Sequence, residues 1–361
     1  MKTVYLTNIV GAPSPTAVIV SENVLNKIDW KREALEVYYF LKSKNIDFSK
    51  MAILNSKSKS KYDFKFIQIK VKDGILDFES NANCGNSMIA SARVAFMIED
   101  KKHNFQDEIT IMNIDTKLEM SVIRKENSFD LEFNNLIGKS INDIKMFEGA
   151  ELINIDEDYG RVKASIINFV NPYIIINAKD LGITCKEELL HLDESDKDVL
   201  ERVKNIRRNI VKRYNFDKKS EFPKIAMVLY DYGLSARTIY VDRWHKGLPI
   251  TAILSIAITT KIKDSIIYKP SLEIDEILTP QGSRKVNVRI DKKRFVSECK
   301  IFNIKSKGDI NLYTYWIGVK ILYRLQFMYW FIYRENITTS LITNIFINLN
   351  QSWNVSVIAN N

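Results

Sequence analysis

Apolar and polar residues alternate through much of the first 130 positions. KTVYLTNIV (2–10), FKFIQIKV (64–71), EITIMNI (108–114), KLEMSVIR (117–124) and FDLEF (129–133) carry this period of two with a β-branched bias, which predicts strands. MAIL (51–54) joins these runs as a further predicted strand. Among them stands NSMIASARVAFMIE (86–99), a predicted helix that is apolar nearly all round. The second half repeats the scheme. RVKASIINFV (161–170), YIIINAK (173–179), KIAMVLY (224–230) and KVNVRID (285–291) predict strands. KEELLHLDESDKDVLERVKNIRRNIVKRY (186–214) has the charge pairing of one outer helix. RWHKGLPITAILSIAITTKI (243–262) predicts a second apolar helix, with no charge between Gly247 and Thr260.

A helix without a polar face has to be surrounded. The predicted fold is therefore α+β, with two pseudo-symmetric sheet-rich lobes, each wrapped around its own central apolar helix. The expected division is residues 1–147, residues 148–310 and an aromatic-rich extension over 311–361.

Composition narrows the functional classes. The chain has 361 residues, 46% of them hydrophobic, ample for one large core or two medium ones. Its net charge of +9 fits nucleic acid, an acidic surface or small anions. The basic residues are interleaved with acids, and the densest run, SKSKSK (56–61), has no aromatic stacking partner. It reads as a solvated loop, and no nucleic acid partner is expected. Cys84, Cys185 and Cys299, like His103, His191 and His245, are scattered, so neither a disulfide framework nor a metal site is expected. There is no GxGxxG, and no cofactor is expected. The first twenty residues lack a signal-peptide layout. Lys320 and Arg324 interrupt the apolar stretch 311–333, which reads as a packed terminal helix or an oligomer surface rather than a bilayer span. A cytoplasmic protein is expected, and a homodimer is compatible with this reading.

One short run carries chemistry. In NANCGNSM (81–88) a cysteine sits where the first apolar helix begins. Helix N-termini present unpaired N–H groups and a partial positive charge, which favour carboxylates and thiolates. Gly85 allows close approach of a ligand, and Asn83 and Asn86 can add donors. Two readings stand at this point: an acid/base thiol beside an anion pocket, or a buried cysteine of purely structural use.

The run YDFKFIQIKVKDGILDFESNANCGNSMIASARVAFMIED (62–100) resembles the PrpF-type 2-methylaconitate cis-trans isomerases, whose relatives act on methylitaconate and oxalomesaconate. The similarity covers about residues 1–295. SKMAIL (49–54), INFVNPYIIINAKDLGI (167–183), PKIAMV (223–228) and DRWHKGLPIT (242–251) resemble family segments in the family's order. The resemblance implies a diaminopimelate-epimerase-like fold and a catalytic pair, Lys50 as base and Cys84 as second acid/base. It implies substrate contacts from Asn83, Gly85, Asn86, Arg243, His245 and Thr251, and backbone donors at Gly247–Leu248. It also implies a small anionic carboxylate as substrate, and neither metal nor redox cofactor.

Three segments depart from that pattern. APSPTA (12–17) replaces a glycine-rich turn, keeping a hydroxyl at Ser14 or Thr16 but losing a lysine and backbone donors. The loop before Lys50 shrinks to NIDFS (45–49), and the segment near Gly282 reads TPQG (279–282). Arg243 or His245 is the expected replacement cation. The implied activity is isomerisation of an unsaturated di- or tricarboxylate. A degenerate, non-catalytic binding protein and an amino-acid epimerase are the alternatives, the latter needing a second cysteine that HKGLPITAIL (245–254) lacks.

Overall fold

The computed structural model describes residues 2–21, 29–72, 75–144, 151–156, 160–217, 220–241, 243–269 and 276–315. The first half contains β1 (Lys2–Ile9), β2 (Thr16–Val20), α1 (Asp29–Ser43), β3 (Lys50–Ser58), β4 (Lys61–Lys72), β5 (Ile75–Glu79), α2 (Gly85–Lys101), β6 (Glu108–Asn113), β7 (Glu119–Arg124), β8 (Phe129–Glu132) and the single turn α3 (Ile141–Ile144). After β9 (Glu151–Asp156) the second half runs β10 (Gly160–Asn168), β11 (Pro172–Asn177), α4 (Lys186–His191), α5 (Lys197–Arg213), β12 (Lys224–Tyr230), β13 (Leu234–Ile239), α6 (Ile250–Thr259), β14 (Glu276–Thr279), β15 (Gly282–Ile290) and β16 (Val296–Ile304). It ends at β17 (Ser306–Tyr315).

The pairing repeats from half to half. β1 pairs antiparallel with β2, β2 parallel with β3, and β3 antiparallel with β4. After α2, β4 pairs parallel with β6, and β6, β7 and β8 follow antiparallel. In the second half β10–β11, β11–β12 and β12–β13 follow the same senses. After α6, β13 pairs parallel with β14, and β15 and β16 follow antiparallel. β9 and β10 form a hairpin at the start of the second half, and the halves also pair with each other, β17 with β1 and β8 with β16.

Both central helices are buried as their apolar character requires. Every residue of α6 is buried, and α2 is buried from Gly85 to Ala92. They belong to one apolar cluster that takes residues from both halves, including Val18, Phe64, Met88, Tyr173, Ala226 and Ile253. A second cluster lies under α4 and α5, where Leu200, Val203, Ile206 and Ile210 form the inward stripe of α5.

The structure differs from the sequence reading in three places. The outer helix over 186–214 is two helices. Asp193 accepts hydrogen bonds from Ser195 N and Oγ at 2.7 and 2.6 Å, and Asp196 accepts from Asp193 N at 2.7 Å, so side-chain-to-backbone bonding turns the chain between α4 and α5. Helix α1 is an element the strand-centred reading passed over, although Trp30, Ala34, Val37 and Leu41 give it a buried helical stripe. Residues 311–315, the start of the expected terminal helix, belong to strand β17, and the rest of the 311–361 extension lies outside the described residues. The expected lobe boundary at 147/148 also lies outside them. Among the described residues no helix is long and apolar enough to cross a membrane.

Candidate active site

Two strand starts and two helix starts meet at one cavity of about 520 Å³, lined by residues of both halves. Lys50 opens β3 with Thr16 of β2 beside it; Lys224 opens β12 with Tyr173 of β11 beside it. Gly85 opens α2, and Ile250 opens α6. The helix starts touch: a Cβ built on Gly85 would lie 2.7 Å from Ile250 Cβ, so only glycine admits this crossing. The two helix starts bring positive potential to the same space, while Ser87 N–H already serves the Cys84 thiol and Ala252 N–H bonds Pro249 O at 2.9 Å. Each helix start is tied to the strand beside it. Thr16 Oγ1 lies 3.1 Å from Ser87 Oγ, and Tyr173 Oη lies 2.9 Å from Thr251 Oγ1.

Cys84 is the residue before α2, half-buried, and its thiol lines the cavity. Burial works against its ionisation. The Lys50 ammonium, donation from Ser87 Oγ (3.3 Å) and Ser87 N–H, and the Lys224 charge outweigh that and hold the thiol below its ordinary range. Lys50 is only 8% exposed, yet among the described residues it has no hydrogen-bond or ion-pair partner. Asn86 is 9% exposed, and its side chain likewise lines the cavity without a partner. A buried ammonium and a buried amide left unpaired are costly unless something in the cavity completes them.

Of the eleven residues singled out in the sequence, nine line this cavity: Ser14, Lys50, Asn83, Cys84, Gly85, Asn86, Arg243, His245 and Thr251. Thr16 and Gly282 do not. Thr16 is buried against Ser87, so Ser14 is the hydroxyl that the 12–17 loop presents, its Oγ 2.7 Å from Ser49 Oγ. Gly282 is exposed at φ 92°, and the TPQG turn reaches Gly11 and Gly247 through the Gln281 side chain instead.

Three expected roles need correction. The Asn83 side chain donates to Val170 O (3.2 Å) and accepts from Asn113 Nδ2 (3.1 Å) and Thr116 Oγ1, while Asn171 Nδ2 donates to Asn83 O (3.1 Å). Its polar atoms are therefore engaged in clamping the Cys84 turn to the second half. His245 cannot serve as the replacement cation near neutral pH. Burial, together with the Lys50 and Lys224 charges, pushes its imidazolium down to about 3. Gly247 N lies 3.2 Å from His245 Nδ1, so the backbone donor expected at that turn is already turned onto the ring.

The sequence reading quoted Lys224 without assigning it a role. Its Nζ lies 3.6 Å from Glu221 Oε2 and over the rings of Phe222 and Tyr240 at 5.0 and 4.6 Å. Tyr240 Oη donates to Glu221, and Glu221 Oε1 also lies 3.6 Å from Lys70 Nζ. Burial draws the Lys224 ammonium below its ordinary range despite Glu221. The signal was in the text of the chain: KMAIL (50–54) and KIAMV (224–228) are the same strand start in the two halves. Arg237 is a further cation in the wall, 7% exposed, donating to Leu192 O at 2.6 Å.

No family model matches the chain, and no curated protein matches it by sequence. Solved structures do. A methylitaconate-delta-isomerase superposes with a TM-score of 0.58 at 17% identity, covering 88% of this chain and 99% of that one. The fold is the diaminopimelate-epimerase-like one. A hydroxyproline epimerase from Agrobacterium vitis, solved with trans-4-hydroxy-L-proline, shares it with a TM-score of 0.56 at 13% identity, over 86% of this chain and 93% of that one. A probable proline racemase from Agrobacterium radiobacter follows at 0.53 and 10%, over 88% and 94%. In this epimerase-like fold the repeated halves and the cavity at their helix starts are parts of one architecture.

Proposed function

We propose that the protein is a cofactor-independent isomerase that moves a proton on an unsaturated di- or tricarboxylate of the methylaconitate or methylitaconate type. The observation that carries this reading is the partnerless Lys50 ammonium beside a Cys84 thiol of lowered pKa, in a cavity where two helix N-termini meet. The resemblance of the segments around Lys50 and Cys84 to the PrpF-type isomerases supports it, as does the likeness in fold to a methylitaconate isomerase.

The chemistry follows from the pair. Cys84, its thiol held below its ordinary range, and Lys50 together supply the base. That base takes a proton from the carbon adjacent to the conjugated acid, and the electron pair spreads through the allylic system into a carboxylate. First-turn N–H groups of α2 and α6, Asn86 and the surrounding cations stabilise the charge as it grows. Rotation or an allylic shift, followed by reprotonation, completes the turnover. General acid–base assistance of this kind contributes roughly 10²–10⁴-fold.

Epimerisation by two thiols fits less well, because Pro249 precedes α6 as Cys84 precedes α2 and, among the described residues, no second cysteine lines the cavity. The test is deuterium uptake by methylitaconate, aconitate or methylaconitate in deuterated water, followed by NMR. Uptake is expected with the native chain and a fall of about 10²-fold or more in Lys50→Ala and in Cys84→Ala. Uptake unchanged in both variants overturns the assignment. No uptake from any of these acids favours the non-catalytic reading.

A further inference from the structure

The repeat that places Lys50 at the start of β3 places Lys224 at the start of β12, and both side chains line one cavity from opposite halves. We propose that Lys224 is a second acid/base residue of this site, which delivers a proton to a different carbon from the one deprotonated by Lys50 and Cys84. The proposal rests on the isomerase reading and adds to it the division of the two proton transfers between the halves.

Its place in the repeat and in the cavity carries it. A proton relocated along an allylic system has to leave one carbon and arrive at another, and two carriers on opposite walls serve that better than one. In the second half Pro249, which carries no acid or base, is the residue before α6 as Cys84 is the residue before α2, and His245 stays unprotonated near neutral pH. Lys224 is the lysine there that feels both members of the first pair: its charge acts on Cys84, on Lys50 and on His245. Glu221, 3.6 Å away and bonded by Tyr240, favours the protonated form that a donor needs, while burial limits how tightly that proton is held.

The step balances. A C–H bond breaks and its proton joins the Lys50/Cys84 pair, leaving the electron pair in the allylic carbanion. The Lys224 N–H bond then breaks, and that electron pair forms a new C–H bond at the distant carbon. The Lys50/Cys84 pair ends with one proton too many and Lys224 with one too few. Transfer through the cavity solvent restores both without any oxidant or reductant.

The experiment uses the full chain with methylitaconate in deuterated water, measuring deuterium in recovered substrate separately from product formed. Lys224→Gln is expected to lose about 10²-fold or more in product formation. It should retain exchange in recovered substrate within about tenfold, because the first transfer survives. Lys224→Arg, which keeps the charge but is a poor proton donor, is expected to behave like Lys224→Gln. Exchange and product falling together in Lys224→Gln with recovery of both in Lys224→Arg makes Lys224 a charge anchor and overturns the proposal. Product formation near the native rate in Lys224→Gln overturns it as well. Exchange absent from the native chain is a different failure: it removes the isomerase reading, and this proposal with it. Coincident thermal unfolding of the three proteins guards against mistaking misfolding for either result.

Discussion

At the scale of single residues, the site gathers buried charges around one cavity. Burial, and after it the Lys50 and Lys224 charges, raises the cost of protonating His245. This has a measurable consequence for stability. In the unfolded chain His245 titrates near its ordinary 6.5, whereas in the folded chain it takes up a proton only near 3. Between those values the unfolded state binds more protons, so stability rises with pH and is lost as pH falls. From pH 7.5 to 5 the loss from this residue is about 2 kcal/mol. Urea unfolding at the two pH values is expected to show it, and His245→Gln to reduce it by most of that amount. An equal loss in the variant would mean that the ring is not held neutral. The same residues show what a sequence makes legible. That Lys50 and Cys84 come to one cavity was readable because each stands beside a distinctive local pattern. Asn83 was misread because its partners, Asn113, Thr116, Val170 and Asn171, come from distant segments that nothing local announces.

At the scale of elements, the crossing of α2 and α6 sets how closely the two helix starts approach. The Cβ absent from Gly85 would fall 2.7 and 2.9 Å from Ile250 Cβ and Cγ2, atoms close to the α6 backbone that cannot swing away. Gly85→Ala is therefore expected to destabilise the fold by about 1–3 kcal/mol through overpacking. Trimming Ile250 to Ala in the same chain should recover part of that loss, because the two changes share one contact. Denaturant midpoints of the single and double variants check this, and strict additivity would place the helix starts further apart than the structure does. Most strands and both central helices were legible, since period-two alternation and all-round apolar character are local signals. The break between α4 and α5 was not, because helical charge pairing over 186–214 masked the turn-forming bonds of Asp193 and Asp196. Strand partners were also illegible: β17 finds its partner in β1 and β16 finds β8, each across long stretches of chain.

For the molecule as a whole, the pairings of β17 with β1 and β8 with β16 tie the halves together. Removing the first half would leave β10–β16 without the partner of β16 and would open the apolar cluster that α2 and α6 share. One core lined from both sides implies one cooperative unit over Thr3–Thr314. Native-state hydrogen exchange tests this directly. Amides of β3 and β4 in the first half and of β12 and β13 in the second are expected to open with the same free energy and the same dependence on urea. Gly85→Ala should lower that free energy in all four strands alike, although its nearest contact is with α6. Two distinct opening energies, with the substitution felt only by the first-half strands, would show halves that unfold separately. The cavity would then be a junction between two mobile bodies, and a proton handed from one wall to the other would depend on their docking. A shared opening energy instead keeps Lys50, Cys84 and Lys224 at fixed separation for as long as the chain is folded, which is the condition for proton transfer across a cavity of this size.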